Sequence, residues 1–489
     1  MGYFSTALTQ IMEQKESVNN EVIRHTGINR STFFKIKSGS REPSGYDMVD
    51  KIVRALRLNE EHRRVLLDAY DMDKLGEYKY FGYKAVQQIF QSRAEVSGIS
   101  AVNIRLLNLD EGESFRIFRD ETEIRAAICG VLNDESAQIR IMESYMSDVY
   151  LAGIPQASAA HPETEFSHIF MFNDSDTVGI DNQLYNIKSF QKVIEILVRT
   201  DMYKPLYYYV PISSFSKNVQ HNNFILSDRH LLAYNDAQDI AILYEDPKIL
   251  ELYREIYERG FKHSMHLVET SSSGESREEN LKKDLSEPDE IGEIYFCLPG
   301  ISSVAVLEED DELFRNIFRK NLKLNKKFVE YFQHMHELVK KGILAAGDAC
   351  HLLIYADSME DFALTGKFRE LPAECIETFE EEKRIAFLRK WRSKSTAYKI
   401  ETVKGNDSER FSFFAAASLH EACILTINER DMTVLRISVS EPSIVDLIYG
   451  YLERLVKNNV LDRKQTFEFI EGLVTGIAER VSKKYMRYH

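Results

Sequence analysis

The chain has 489 residues, is 44% hydrophobic and carries a formal net charge of −15. That length and apolar content suffice for more than one buried core. Five scattered cysteines (Cys129, Cys297, Cys350, Cys375, Cys423) without paired short spacing exclude a disulfide framework and a zinc site. No apolar run of about 18 residues is present to span a bilayer and no basic-then-apolar leader opens the chain, so a cytoplasmic protein with reduced thiols is expected.

The charge is uneven. Residues 1–65 hold eleven Lys/Arg against eight Asp/Glu, an excess of three positive charges that leaves −18 on the remainder. A basic end on an acidic body fits a small nucleic-acid reader joined to a sensor or assembly body, and argues against an enzyme whose large domain tracks the duplex. Within residues 17–41 (SVNNEVIRHTGINRSTFFKIKSGSR) a short helical pattern with Val22 and Ile23 runs into Thr26-Gly27, and a second opens at Asn29 with apolar Phe33 and Ile36. Glycine at the turn lets two helices pack at a steep angle, and Asn29 suits the N-cap of the second. From Val22 to Arg41 the segment carries Arg24, Arg30, Lys35, Lys37 and Arg41 and no acid, a local inversion that a phosphate backbone explains.

Residues 8–72 resemble the phage-repressor (Cro-like, or XRE) DNA-binding domain. The resembling elements are Glu21-Val22, Gly27, the Asn29–Phe33 opening of the recognition helix and Ile36-Lys37-Ser38-Gly39. The Arg41–Ser44 exit, an apolar helix with Met48, Ile52, Val53 and Leu56, and a last helix from Glu60 to Tyr70 complete them. The resemblance implies a compact helical bundle docking on double-stranded DNA, with Asn29 opening the docking helix. It places base-facing positions on Arg30, Ser31, Phe34 and Lys35, opposite Phe33 and Ile36. Arginine and lysine suit guanine edges in the major groove. Asn19 falls where the family commonly has a phosphate-touching glutamine, and Lys37 and Arg41 suit backbone contacts, which orient without specifying sequence. Phe34 departs from the family's usual polar residue: it either touches a thymine methyl or packs, which would leave three base readers. One recognition helix is a small interface for tight selective binding, so a homodimer on two half-sites is expected.

Past Tyr70 the texture changes. Residues 73–110 read as a linker and a helix. Thereafter β-rich runs at Ser167–Asn173, Lys204–Ile212, Asn223–Ser227 and Asp239–Tyr244 alternate with helical patterns at Ala137–Leu151, Ser189–Val198 and Ile249–Gly260. The polar stretch 270–290 reads as an exposed linker. Residues 241–259 (AILYEDPKILELYREIYER) and 436–454 (RISVSEPSIVDLIYGYLER) superpose at a constant offset of 195 residues. In each, an apolar strand ends in acid-proline and starts a helix (Asp246-Pro247, Glu441-Pro442), with proline in the first turn where its missing N–H costs nothing. Ile249, Leu252 and Ile256 then match Ile444, Leu447 and Tyr451 on the face expected to be buried, and each helix is expected to end in Glu-Arg. The fold class expected is multidomain α + α/β. Residues 1–72 form an all-α helix-turn-helix domain; lobes at 111–270 and 291–489, joined by a linker at 271–290, form a large α/β body read as duplicated.

The strand–acid-proline–helix units are weakly similar to ligand-sensing domains derived from the phospholipase D fold. The hallmark of that family's active members, His-x-Lys and, beyond four residues, Asp, is absent: none of the thirteen histidines has lysine two residues on. No His-Glu-x-x-His, Gly-x-Ser-x-Gly or P-loop motif occurs. His334-x-His336 sits in a helical pattern, where residues two apart diverge, and reads as a pair of surface histidines. Glu308–Glu312 (EEDDE) reads as a solvated run rather than a cation site. The tyrosines around Tyr203–Tyr209 read as core before pocket, and Ser227-Asp228-Arg229-His230 as a polar hairpin without a third catalytic partner.

The function expected is therefore a sequence-specific transcriptional regulator. Its body senses a small-molecule or peptide effector and holds the dimer, with no catalytic residues, cofactor, metal or membrane partner. The rivals are a cytosolic enzyme or defence effector carrying a DNA-reading head, and a scaffold whose helix-turn-helix binds protein.

Overall fold

The computed structural model describes residues 2–16, 19–91, 113–174, 180–210, 223–271, 293–298, 300, 339–340, 347–368, 377–397, 400–404, 414–427 and 434–486. The chain is a multidomain α + α/β protein with two compact units, residues 1–84 with the segment 178–184, and the rest. His334, His336, Glu308–Glu312, Cys375 and the polar stretch from residue 272 to 290 lie outside the described residues.

The first unit is helical: α1 (Tyr3–Gln14), α2 (Asn19–Thr26), α3 (Arg30–Lys37), α4 (Tyr46–Ala55) and α5 (Glu60–Leu75), followed by α6 (Glu77–Gln91). Phe4, Leu8 and Ile11 of α1, Val22 of α2, Phe33 and Ile36 of α3, Val49 and Ile52 of α4, and Leu66 and Tyr70 of α5 form one buried core. Such spacings of three and four residues put the apolar side of each short helix inward. Asn59 caps α5 by accepting the His62 amide at 2.9 Å, and α5 runs past Tyr70 to Leu75, where Gly76 (φ +76°) ends it.

The second unit holds two mixed sheets. The first is built from β1 (Phe115–Phe118), β2 (Gln138–Glu143), β3 (Glu165–Asn173), β4 (Tyr203–Val210), β5 (Asn223–Leu226), β6 (Leu231–Tyr234), β7 (Ala241–Tyr244) and β8 (Met265–His266). With it run α7 (Glu121–Leu132), α8 (Tyr150–Ala160), α10 (Tyr185–Leu197) and α11 (Pro247–His263), while α9 (Ile180–Gln183) falls in the segment grouped with the first unit. The second sheet holds β9 (Glu269–Ser271), β10 (Ile294–Leu298), β11 (Cys350–Tyr355), β12 (Ile400–Val403), β13 (Phe414–Ala417), β14 (Ala422–Ile427) and β15 (Val434–Val439). Its helices are α12 (Ala356–Thr365), α13 (Glu381–Ala397), α14 (Pro442–Asn459) and α15 (Arg463–Met486).

The two sheets repeat one topology. The orders are β1-β7-β6-β5-β2-β3-β4 and β9-β15-β14-β13-β10-β11-β12, with β2-β3-β4 and β10-β11-β12 parallel and the other pairs antiparallel. Even the closing contact recurs: β8 lies antiparallel on β4 after α11, and Val460 forms an antiparallel bridge to Val403 after α14. The hairpins coincide as well, since the Ser227 and Ser418 amides donate to the His230 and Glu421 carbonyls at 2.9 Å each. Asp246 and Glu441 cap α11 and α14 through their carboxylates, with proline next in both.

Three expectations change. Ala137–Leu151 is not one helix: Gln138–Glu143 is a strand of alternating burial and α8 begins at Tyr150. Ile139, Ile141 and Glu143 are buried at every second position, so the period is two, and the parallel neighbour β3 fixes it. Leu252 is not on a buried face but half exposed, whereas Leu447 is 1% exposed, because α14 packs on α10 as well as on its own sheet. Leu250 and Tyr257 carry the burial of α11 instead. Both helices also run on past Glu-Arg, to His263 and Asn459.

Candidate nucleic-acid interface and the polar centre of the body

In the helical unit, Gly27 adopts φ +67° between α2 and α3, a left-handed turn with open space around its Cα. The Thr26 hydroxyl donates to the Val22 carbonyl at 2.8 Å and accepts the Ile28 amide at 3.3 Å, pinning that turn. Asn29 caps α3, its Oδ1 accepting the Ser31 amide at 2.9 Å. At the other end Gly39 (φ +77°) reverses the chain, and the Ser40 and Arg41 amides both donate to the Lys35 carbonyl.

These caps leave one face of α3 buried, through Phe33 and Ile36, and expose Arg30, Ser31, Phe34 and Lys35 on the other. Phe34 is 39% exposed; its ring meets Phe33 edge-on and carries the Arg30 guanidinium 5.7 Å above it. Arg41 is exposed beyond the C-terminus of α3. The Lys37 ammonium donates to Asn19 Oδ1 at 3.0 Å, joining the ends of α2 and α3. All eight sequence-selected residues thus belong to the α2–α3 pair and its exit, with Asn19 and Lys37 bonded to each other and Asn29 holding the helix start.

The body's polar centre lies in its first sheet. Glu143, at the end of β2, is 1% exposed; its Oε1 accepts the Ser147 amide at 3.0 Å and its Oε2 the Tyr234 hydroxyl at 3.1 Å. His168 of β3 is fully buried. Its Nε2 stands 3.1 Å from Glu143 Oε1 without the alignment of a hydrogen bond, and its Nδ1 lies 3.0 Å from the Tyr203 hydroxyl. The Tyr150 and Tyr234 hydroxyls share a 2.6 Å bond. Burial foremost holds Tyr150, Tyr203 and Tyr234 well above the usual phenol range, and the Glu143 charge adds to it in all three.

Registers assign Glu143, His168 and Tyr234 counterparts in the second sheet, and Asn223 at the start of β5 another. Arg140 pairs with Leu226 as Tyr295 pairs with Ala417, and Ile141 pairs with His168 as Phe296 pairs with Leu352. Glu143, His168, Tyr234 and Asn223 therefore correspond to Leu298, Leu352, Leu425 and Phe414, all buried. One fold holds the same positions once polar and once apolar. The pair escaped sequence reading because Glu143 was placed on a helix; the alternation in QIRIME was the available signal.

The Ser227–His230 turn is a hairpin, as expected, but it has a third partner in Asp134. The Ser227 hydroxyl and His230 Nδ1 both bond Asp134 Oδ2, at 2.5 and 2.6 Å, while His230 Nε2 faces Glu245 at 3.3 Å. The serine proton goes to the carboxylate rather than the imidazole, so this is a clamp and not a charge-transfer triad. Tyr203 and Tyr207 are buried, and the Tyr209 hydroxyl donates to Glu441 at 2.7 Å. Cys129, Cys297, Cys350 and Cys423 are buried and form no disulfide. No described helix is long and apolar enough to cross a membrane.

A further sequence signal was missed. His221-Asn222-Asn223-Phe224-Ile225-Leu226-Ser227-Asp228 keeps the outer letters of the phospholipase D hallmark with asparagine in place of lysine. Asn223 is 3% exposed; it accepts the Ser144 amide at 2.7 Å and donates to Asp236 at 2.8 Å. It begins β5, whereas Asp228 follows the strand's other end. His221 lies outside the described residues.

No family model and no curated protein matches the chain. Similar solved structures include the phospholipase D family member Nuc from Salmonella typhimurium, at 13% identity over 31% of this chain and 97% of that one, with TM-score 0.24. TrmBL2, an archaeal chromatin protein with a novel mode of DNA binding, is 11% identical over 46% of this chain and 73% of its own (TM-score 0.23). The phosphatidylserine synthase of Haemophilus influenzae Rd KW20 is 10% identical over 83% of this chain and 99% of its own (TM-score 0.22). Two of these three are enzymes, so the expectation that this chain is not an enzyme is withdrawn; no activity of theirs passes to this chain.

Proposed function

We propose that the protein joins a DNA-reading helical head of the XRE type to an enzyme-type α/β body, and that it acts as a sequence-specific regulator of transcription. The observation that carries this reading is α3: capped at both ends, anchored by Phe33 and Ile36, and presenting Arg30, Ser31, Phe34 and Lys35 outward from a segment without an acid. Such a helix suits the major groove, with Arg30 and Lys35 on guanine edges and Lys37, Asn19 and Arg41 on phosphates. Two copies, dimerised through the body, would bring two such helices to half-sites a helical turn apart. A small molecule or peptide would act by favouring one spacing of the heads. The test is fluorescence-anisotropy titration of the full chain against duplexes from its own promoter and unrelated duplexes, across salt concentrations. Steep salt dependence with a preferred sequence is expected, while salt-independent capture of protein alone sinks the reading in favour of a scaffold.

A second reading, a cytosolic enzyme or defence effector that uses the same head to find its DNA, is favoured by the His221-x-Asn223 remnant and the buried Glu143–His168 pair. Hydrolysis of a bis-nitrophenyl phosphodiester by the full chain, abolished in His221→Ala, would favour it over regulation alone.

A further inference from the structure

We propose that α13 in the second half of the body is a further duplex-binding surface, gripping the sugar-phosphate backbone without reading bases. This rests on the DNA-binding reading of the head. Residues 383–394 hold Lys383, Arg384, Arg389, Lys390, Arg392 and Lys394 and no acid, a denser run of positive charge than the Val22–Arg41 segment, inside a body of net charge −18. Phe387, Leu388 and Trp391 bury the opposite side of the helix, so the run is held on a folded element and not on a loose tail.

The fold does not demand this charge. The corresponding helix between the second and third parallel strands of the first half, α10, carries only Lys188, Lys192 and Glu195 as charged residues. The helix dipole does not explain it either, because Lys383 and Arg384 sit near the N-terminal end, where cations are disfavoured. Arg384, Arg392 and Lys390 also have partners within the fold. The Arg384 guanidinium donates to the Phe379 and Leu364 carbonyls, at 2.7 and 3.0 Å, and Arg392 pairs with Glu471. Lys383 and Arg389 are exposed and Lys390 partly so, with small Ala386 and Ser393 exposed between them, so a backbone can come close. A row of cations flanked by small side chains on a rigid helix suits a polyanion of regular charge spacing, and the head's ligand is such a polyanion.

The experiment compares the full-length protein with the triple variant Lys383→Ala/Arg389→Ala/Lys390→Ala, titrating one preferred and one scrambled duplex at several salt concentrations. Each lost phosphate contact flattens the dependence of log affinity on log salt by about 0.9, so a slope shallower by about two to three is expected, equal for both sequences. Circular dichroism and the thermal midpoint verify that the variant is folded. The charge-keeping variant Lys383→Arg/Lys390→Arg should retain the wild-type slope; if it instead matches the alanine triple, the proposal is overturned. It is also overturned if the folded triple variant keeps the wild-type slope. Capture of the wild type by phosphatidylglycerol vesicles, lost in the triple variant while the DNA slope stays unchanged, would assign the face to lipid and overturn it too. A wild-type chain that binds no duplex removes the head's reading along with this one, whereas an unchanged slope removes this one alone.

Discussion

His168→Leu removes the imidazole whose Nε2 stands 3.1 Å from Glu143 Oε1 and leaves the carboxylate, 1% exposed, with the Ser147 amide and the Tyr234 hydroxyl as hydrogen-bond donors. A buried polar group left without its partner costs about 1–3 kcal/mol; His168→Leu leaves Glu143 and Tyr203 so, and Glu143→Leu leaves His168 and the Ser147 amide so, about 2–6 kcal/mol for each single variant. Replacing both by apolar residues is often near neutral, and the second half of the body holds Leu298 and Leu352 at the corresponding positions. In the double variant the Ser147 amide loses its acceptor and the Tyr203 hydroxyl its ring partner, at about 1–3 kcal/mol each, while Tyr234 keeps Tyr150. The double variant should therefore fall short of the sum of the singles by about 2–6 kcal/mol. Native-state hydrogen exchange of the β2 and β3 amides in the four proteins measures this coupling directly, because the slowest amides report the opening free energy of that sheet. Additivity to within about 0.5 kcal/mol would refute the reasoning and reduce the pair to two neighbours without shared energetics.

Other outcomes follow from the same geometry. Arg30→Ala should cost about 1–3 kcal/mol of DNA affinity and relax base preference, whereas Lys37→Ala should weaken all duplexes alike; selected-site sequencing with each variant separates the two. Gly39→Ala should destabilise α1 and α3 more than Gly27→Ala destabilises its turn. Both incur about 1–2 kcal/mol for left-handed backbone, but at Gly39 the added Cβ would also stand 2.8 Å from Ser5 Oγ, a difference that exchange of α1 peptides will show. Burial works against a charged His230, yet the hydrogen bond and charge of Asp134, with Glu245 behind them, raise its pKa above the ordinary 6.5. The clamp should be at full strength below that ordinary value and weaken as pH rises through the raised one. Asp134→Asn should flatten this dependence in exchange of the β5–β6 hairpin.

The sequence alone carried whatever depends on neighbours along the chain. The α2–α3 pair was legible because a turn glycine, an N-cap asparagine and apolar residues three apart are local requirements of two short helices. The Asp246-Pro247 and Glu441-Pro442 helix starts were legible for the same reason: a cap and an N1 proline act within one turn. That correspondence of two short segments was also the part of the duplication visible in the sequence. Contacts between distant segments were decided only in three dimensions. Whether QIRIME is strand or helix depends on β3 lying beside it, and the different burial of Leu252 and Leu447 at matching helix positions depends on what packs around each helix. Glu143 and His168 are 25 residues apart in sequence and meet only because two parallel strands set them side by side. A carboxylate in a sequence carries no mark of its burial; the fold that removes its water also supplies the amide, hydroxyl and imidazole that make the burial tolerable.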